Sequence, residues 1–313
     1  MRQNDCLIIS GNKGFRKITK FVQTGLKHTM TTYHTQAVLC PNCRKLVSSD
    51  ETRCPHCGIS HPGARWKNNI WTAGFRNPDL LIRAIIGINI GMYVISLLLN
   101  IKAIHLSPDP FRIFSPSGES LLLLGMTGTL PIDQFHRWWS VVSANYLHGS
   151  ILHILFNMMA FRQIAPFIVR EYGTYRMIIL YALCGVIGFW ISYMAGTRLI
   201  VGASATICGL IGAAIWYGKS RGGTYGHAVY RQMGGWVMGI FILGLLLPNI
   251  DNWGHGGGLL AGIFLGFLLG YQEKRPENFF HKIFAGICLV LTVLTLIGAV
   301  ASAVYYRISG IAG

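Results

Sequence analysis

Seven apolar segments constrain the fold of this chain more than any other feature of its sequence. A helix needs about 20 predominantly apolar residues to cross the hydrocarbon core of a bilayer. Only 12% of the 313 residues are charged, whereas soluble domains average about 25%. A buried soluble core accounts for one or two such segments but not for seven, so we expect an all-α polytopic membrane protein. The predicted spans are Leu80–Leu99, Ile151–Ile168, Met177–Ala195, Ala203–Tyr217, Trp236–Leu247, Trp253–Gly270 and Phe284–Tyr305.

The distribution of positive charge predicts the orientation of these spans. The net charge is +16, and most of the 27 lysines and arginines fall on the cytoplasmic side when the N-terminus is placed there. Such a bias is typical of cytoplasmic loops. The basic residues predicted to lie outside are Lys102, Arg112, Arg137, Arg198 and Arg307. Topology therefore explains the basic composition, and we expect the lipid bilayer as a partner and no nucleic acid.

Two pairs of cysteines precede the first span with the spacing C-x2-C-x10-C-x2-C. Cys40, Cys43, Cys54 and Cys57 resemble the ligand set of the zinc-ribbon family, because two such turns present four thiolates to one tetrahedral Zn²⁺. A disulfide is disfavoured in a reducing cytoplasm. A thioredoxin-like redox pair is the alternative reading of "CPHC", but no βαβ pattern surrounds it. We expect a structural Zn²⁺ and a head that is either purely structural or binds a protein partner.

Polar residues occur at the predicted outer ends of three spans. The segment "HGSILHILFNMM" contains His148, His153 and Asn157; "VGASATICGLIGAA" contains Ser204; and "DNWGHGGG" contains His255. All three spans start outside in the predicted orientation, so the five residues are expected at a similar depth. His153 and Asn157 are four residues apart and share one helix face. A metal pair of His148 and His153 is an alternative that lacks a well-placed third ligand.

Glycines recur every four residues along the sixth span and predict a close contact with the fourth. Residues of this kind form a smooth stripe that lets two helix backbones approach. The glycines are Gly254, Gly258, Gly262, Gly266 and Gly270. The facing small residues of the fourth span are Gly202, Ala203, Ala205, Gly209, Gly212 and Ala213. This contact would allow a short serine side chain to meet a histidine across the gap.

Ser204 and His255 have the chemistry of a nucleophile and its general base. The histidine would take the serine proton during attack and return it to the leaving amine. Acyl transfer also needs donors for the developing oxyanion. The side chains of His153 and Asn157 are suitable, and the backbone N–H of Ser204 could add a third. The nearest acid, Asp251, lies one turn from His255 in a loop, so we predict a dyad rather than a triad.

These residues resemble the rhomboid family of intramembrane serine proteases over residues 80–270. The segment "RWWSVVSANYLHGSILHILFNMMAF" is similar to the WWR…HxxxxHxxxNM pattern of that family, and "YGTYRMIILYALCG" to its FGxxRFLxLYLLSG stretch. "GASA" and the glycine-flanked histidine of the sixth span complete the resemblance. The chain departs from the family where Ala205 replaces a glycine and where Cys208 replaces an aromatic residue.

The resemblance implies roles for individual residues. Ser204 is then the nucleophile, His255 the base, and His153 and Asn157 the oxyanion-hole donors, with His148 supporting them. Gly202 and Gly258 are further supporting positions, and catalysis needs no cofactor. Substrates would be single-span membrane proteins that reach the site laterally beside the fifth span. The last span resembles the branch of the family with six core spans plus a seventh.

The sequence thus predicts a rhomboid-like core with a small head. The predicted divisions are a basic, disordered tail (1–35), a zinc ribbon (36–60), a linker (61–79), a six-span protease core (80–272) and a cytoplasmic loop with the seventh span (273–313). We expect a bacterial inner-membrane protein with a cytoplasmic N-terminus and a site open to the outer face. A catalytically silent binder of membrane proteins in quality control is the alternative function. A proton-relay transporter is disfavoured because the inner halves of the spans are apolar.

Overall fold

The computed structural model describes residues 37–40, 45–56, 58–64, 78–103, 113–247 and 250–309. The chain divides into two compact units, Met1–Arg76 and Asn77–Gly313. The first contains the predicted head and the second the predicted spans. The division falls within the predicted linker, close to the boundary expected at residue 79.

The first unit contains a short antiparallel ribbon in its described part. Strands β1 (Ala37–Leu39) and β2 (Leu46–Ser48) pair with Val38 opposite Val47. A further antiparallel bridge joins Arg53 and Ser60. Two cysteines and one valine form its small buried cluster: Cys40, Val47 and Cys54.

The second unit is helical. Its α-helices are α1 (Pro78–Leu98), α2 (Gly118–Leu123), α3 (Ser140–Ser143), α4 (Ile151–Tyr172), α5 (Thr174–Met194), α6 (Ser204–Arg221), α7 (Gly223–Leu246), α8 (Asn252–Leu269) and α9 (Phe279–Ile308). Seven of these described helices are long, and each coincides with a predicted span. The fifth span was predicted too short: α7 starts at Gly223, because the polar segment before Trp236 continues the same helix.

Five helices, α1, α4, α5, α7 and α9, are long and apolar enough to cross a membrane. The chain is therefore a multi-pass integral membrane protein with an all-α fold. The other two long helices, α6 and α8, have 18 residues each. Lys219 and Arg221 end α6, and glycines and polar residues begin α8, which lowers the apolar character of both. Helices packed against other helices can carry such residues because they present less surface to lipid.

Helices α6 and α8 meet backbone to backbone. A Cβ atom added at Gly258 would overlap the carbonyl oxygen of Ala205, and one added at Gly262 would overlap that of Gly209. Gly266 also faces Ala213, less tightly: a Cβ atom added there would lie 3.2 Å from the Cα of Ala213 and 2.8 Å from the hydroxyl oxygen of Tyr172. Four-residue steps on both helices therefore keep these contacts in register, as expected for small-residue packing.

The two ends of the glycine stripe have other roles. Gly254 faces the side chains of Asp251 and Ser192, the latter on α5. Gly270 has a positive φ of 66° and ends α8. A positive φ is accessible to glycine at little cost, which makes it the usual residue at such a position. The prediction of one continuous stripe against α6 was therefore correct only for its three central glycines.

The segment between α8 and α9 is anchored on the start of α5. The fully buried Arg176 side chain donates to the carbonyl oxygen of Arg275 at 2.8 Å. The backbone N–H of Arg176 donates to Glu277 Oε1 at 2.9 Å. A side chain at Gly173 would collide with Glu277. The seventh long helix is thereby attached to the rest of the unit through buried polar contacts.

Candidate active site

Ser204 is the first residue of α6 and is partly exposed. The chain enters the helix through Gly202, whose φ of 132° favours glycine. The N–H of Gly202 donates to the carbonyl oxygen of Ala144 at 2.9 Å. The first N–H groups of a helix have no intrahelical acceptors, and the helix dipole is positive at this end. A developing negative charge beside Ser204 would therefore be stabilised by α6 itself.

His153 lies beside this helix start. A Cβ atom added at Gly202 would come within 2.7 Å of His153 Nε2 and within 3.7 Å of Ser204 Oγ. On the other side of the ring, the N–H of Gly149 donates to His153 Nδ1 at 3.3 Å. In a neutral imidazole one nitrogen accepts and the other carries the proton. The contact with Gly149 thus leaves the proton on Nε2, which faces the backbone before Ser204.

His148 packs against His153. The two ring centroids are 5.1 Å apart in an edge-on arrangement with an interplanar angle of 73°. His148 is fully buried, and neither of its ring nitrogens has a hydrogen-bond partner in the described residues. Its contact with the ring of His153 fits the supporting role that the sequence suggested.

Asn157 is buried one turn further along α4, but its amide is engaged within that helix. Its Nδ2 donates to the carbonyl oxygen of His153 at 3.0 Å. The structure therefore places Asn157 on the same face as His153, as the spacing predicted. One of the two N–H groups of Nδ2 is thus used for a backbone bond.

His255 lies in the first turn of α8 and is partly exposed. Its Nδ1 is buried and has no hydrogen-bond partner among the described residues. None of the hydrogen bonds in the described part of the chain joins Ser204 Oγ to His255. Catalytic hydrogen bonds are often long before substrate binds.

Asp251 accepts two hydrogen bonds at the start of α8. It caps α8 by accepting the N–H of Gly254 at 3.0 Å on Oδ1. It also accepts the hydroxyl of Ser192 at 2.5 Å on Oδ2. Both carboxylate oxygens thus accept a hydrogen bond, and no side-chain hydrogen bond of the described residues joins Asp251 to the His255 ring. The predicted dyad stays a prediction.

Sequence reasoning missed the backbone groups that orient these side chains. The N–H of Gly149 sets the His153 ring, and the carbonyl oxygen of Ala144 holds Gly202. Any residue supplies these groups, so no pattern of side chains could have identified them. Gly202 was the available signal, since a Cβ atom at this position would lie only 2.7 Å from His153 Nε2.

In the head, the backbone N–H groups of two cysteines are hydrogen-bonded. The N–H of Cys40 donates to the carbonyl oxygen of Lys45, and that of Cys54 to Ile59, each at 2.9 Å. The N–H of His56 donates to Cys54 Sγ at 3.4 Å, a contact that stabilises a thiolate. Cys40 and Cys54 are buried in the same cluster and fit two of the four thiolate ligands of a tetrahedral zinc site. Cys43 and Cys57 lie outside the described residues.

Fold and site together define a polytopic helical membrane protein with a serine at a helix N-terminus close to His153. Residues 136–272 match the family model described as the Rhomboid domain. This stretch contains all five predicted site residues of the membrane part, namely His148, His153, Asn157, Ser204 and His255. The match supports the rhomboid family for this part of the chain.

Relatives with rhomboid names extend this result. The chain is 33% identical to "RHOMBOID-like protein 5" of Arabidopsis thaliana over 174 residues, covering 53% of the chain and 55% of that protein. It is 31% identical to "Rhomboid protease GluP" of Bacillus subtilis (strain 168) over 163 residues, 51% of the chain and 31% of that protein. It is 27% identical to "Rhomboid-like protease 3" of Toxoplasma gondii over 270 residues, 80% of the chain and 89% of that protein. The chain spans about half the length of the first plant relatives it matches.

Proposed function

We propose that the chain is an intramembrane serine endopeptidase that uses Ser204 as nucleophile and His255 as general base. The observation that carries this proposal is the position of Ser204. It begins α6 beside His153 Nε2, and α8 brings His255 to the same end through the contact of Gly258 with Ala205. The names of relatives in two organisms include the word protease, which agrees with this function.

The proposed reaction starts with attack of Ser204 Oγ on the scissile carbonyl carbon. His255 takes the hydroxyl proton, and the carbonyl oxygen becomes an oxyanion. The N–H of Ser204 and the Nε2–H of His153 donate to that oxygen. The tetrahedral intermediate collapses as His255 gives its proton to the leaving amine. Water then attacks the acyl-enzyme with His255 as base and releases the carboxylate product.

The side chain of Asn157 also belongs to this scheme. Its Nδ2 carries two N–H groups, one of which donates to the carbonyl oxygen of His153. The second is available for the oxyanion without breaking that bond. The helix bond then fixes the amide in place, and Asn157 is the third oxyanion donor of the proposal.

The proposed substrates are single-span membrane proteins, cut within the membrane-spanning segment. Helix α7 supports lateral access, because only Gly226, Val229 and Met233 are buried along its length. A groove of about 330 Å³ separates parts of α6 and α7 and is lined by Ile215, Met238 and other mainly apolar side chains. In the proposed topology the N-terminus is cytoplasmic and the site opens outward, in a bacterial inner membrane.

For the head we propose a structural Zn²⁺ held by Cys40, Cys43, Cys54 and Cys57. The two described cysteines support this through their backbone turns and burial. A metal bound by four thiolates would stabilise a unit too small to fold on a hydrophobic core alone. A protein partner for this head is part of the proposal.

A catalytically silent binder of membrane proteins is the second candidate. The observation in its favour is that Ser204 and His255 share no hydrogen bond in the described residues. Labelling of the purified full chain with a fluorescent fluorophosphonate separates the two functions. A protease is labelled on Ser204, and Ser204→Ala and His255→Ala abolish the label. A chain that is not labelled, or is labelled equally after Ser204→Ala, is not a serine protease.

A further inference from the structure

A buried polar pair connects the helix of Ser204 to the turn that precedes α4. The hydroxyl of Thr206 donates to Asn145 Oδ1 at 2.8 Å, and the carbonyl oxygen of Tyr181 lies 3.1 Å from the same hydroxyl. Asn145 Nδ2 in turn donates to the carbonyl oxygen of Val141 at 3.1 Å. Thr206 is fully buried and Asn145 is 3% exposed.

The Asn145–Thr206 pair is close to Ser204 along the chain and at the start of α6. Thr206 is two residues after Ser204 in the first turn of α6. Asn145 follows Ala144, whose carbonyl oxygen accepts the N–H of Gly202. The turn at 144–145 therefore holds the chain on both sides of Ser204, once through a backbone bond and once through a side-chain bond.

The surrounding structure makes room for this pair. A Cβ atom added at Gly185 of α5 would overlap both Asn145 Oδ1 and Thr206 Oγ1. A cavity of about 80 Å³ lies beside Asn145 and is lined also by Tyr146 and by Cys288 and Thr292 of α9. On the side of Asn145 that faces this cavity, no packed apolar side chain of the described residues holds the residue in place. We infer that its hydrogen bonds fix the orientation of the side chain. Buried hydrogen bonds of this kind specify one arrangement, since breaking them leaves polar groups unpaired.

We propose that Asn145 is a positioning residue that acts through Thr206 to hold the first turn of α6. It fixes Ser204 relative to His153 Nε2 and does not touch the substrate. This inference rests on the proposed protease function. The hydrogen bond between Asn145 and Thr206 joins the turn at 144–145 to the start of α6. Loss of this bond would therefore shift Ser204 without removing a reacting group.

The test uses the full chain in detergent, with Asn145→Leu and Thr206→Val as variants that remove polar atoms at similar volume. We expect each variant to lower the rate of Ser204 labelling and kcat for a membrane-spanning substrate by about tenfold or more, because small misplacements of reacting groups are costly. KM should stay the same. Thr206→Ser, which keeps the hydroxyl, should restore the rate. The double variant should be no slower than the slower single variant, because both act through one bond.

Ser96→Ala is the matched control, since Ser96 is a buried residue of α1 whose hydroxyl donates to the carbonyl oxygen of Tyr93 at 2.6 Å. It should lower the melting temperature without changing kcat. Equal kcat and labelling per folded molecule in Thr206→Val and wild type would overturn the positioning role. Additive losses in the double variant would do the same. If Thr206→Val does not fold, Asn145→Ser gives the same comparison from the other partner. A wild-type chain that is not labelled would instead contradict the protease function.

Discussion

Gly258 of α8 lies against the carbonyl oxygen of Ala205, the residue directly after Ser204. The contact leaves no space for a Cβ atom, so the backbones of α6 and α8 set the distance between the two proposed catalytic side chains. His255 is three residues before Gly258 and therefore depends on this contact for its position.

Substitution at Gly258 tests this dependence. We expect Gly258→Leu to abolish Ser204 labelling and Gly258→Ala to reduce it strongly, because either side chain pushes the helices apart. Gly256→Ala is the matched control on the same helix, since an added Cβ there meets nothing within 4 Å. Labelling rates of folded protein, measured beside melting temperatures, check the prediction. Full activity of Gly258→Leu would show that the contact does not position the site.

Substitution at Gly202 should lower activity by crowding His153, an effect separate from the helix contact at Gly258. Gly202→Ala places a methyl group against His153 Nε2 and also strains a backbone with φ of 132°. We expect loss of most catalytic activity with the substrate still bound. Gly196→Ala controls for the strain, because Gly196 also has a positive φ, 82°, but open space around it. If both variants lose activity equally, crowding of His153 is not the cause.

His153 should contribute mainly to the transition state. Removing one oxyanion donor lowers kcat by about 10²–10³-fold in a well-studied serine protease. We expect His153→Ala to lower kcat on this scale with little change in KM, measured with a membrane-spanning substrate. His227→Ala, at an exposed residue of α7, should leave both constants unchanged. A rise in KM at constant kcat would assign His153 to substrate binding instead.

The head should bind one metal ion without taking part in the chemistry. We expect elemental analysis to find Zn²⁺ in the wild type and a loss of it in Cys40→Ser and Cys54→Ser. Cys288→Ala, at a cysteine of α9, is the control and should keep the metal. The rate of Ser204 labelling should be retained after Zn²⁺ is lost, because the head and the membrane part are separate compact units. Wild type without metal would reject the zinc site.

Glu277 predicts a pH dependence of stability. Burial raises the pKa of the Glu277 carboxyl, while backbone N–H groups at the start of α5 oppose that rise. A raised pKa in the folded state means a contribution to stability that is lost as the pH rises through that pKa. We therefore expect the melting temperature in detergent to fall as pH increases above the ordinary value of 4.5. Glu277→Gln should flatten this fall, whereas Glu119→Gln, at an exposed residue, should not. Identical pH profiles for wild type and Glu277→Gln would contradict the prediction.

Much of the fold could be predicted from the sequence because membrane-spanning helices are recognisable as long, predominantly apolar segments. All seven predicted spans coincide with helices, and His153, Ser204 and His255 each lie in the first turn of a different helix. The orientation of these helices in the membrane stays a prediction. The start of α7 could not be predicted, because a polar helical segment resembles a loop in hydropathy. The orientation of the Asn157 amide was equally hidden, since its partner is a carbonyl group that every residue possesses.

The seam between α6 and α8 has a consequence for variation in this protein. At Gly258 and Gly262 the helices already touch through main-chain atoms, which no substitution can make smaller. Any substitution at these positions adds atoms and can therefore only increase the distance between α6 and α8. Tighter or faster forms of the site must therefore arise elsewhere, in the turns that aim Ser204 and His153 rather than in the seam itself.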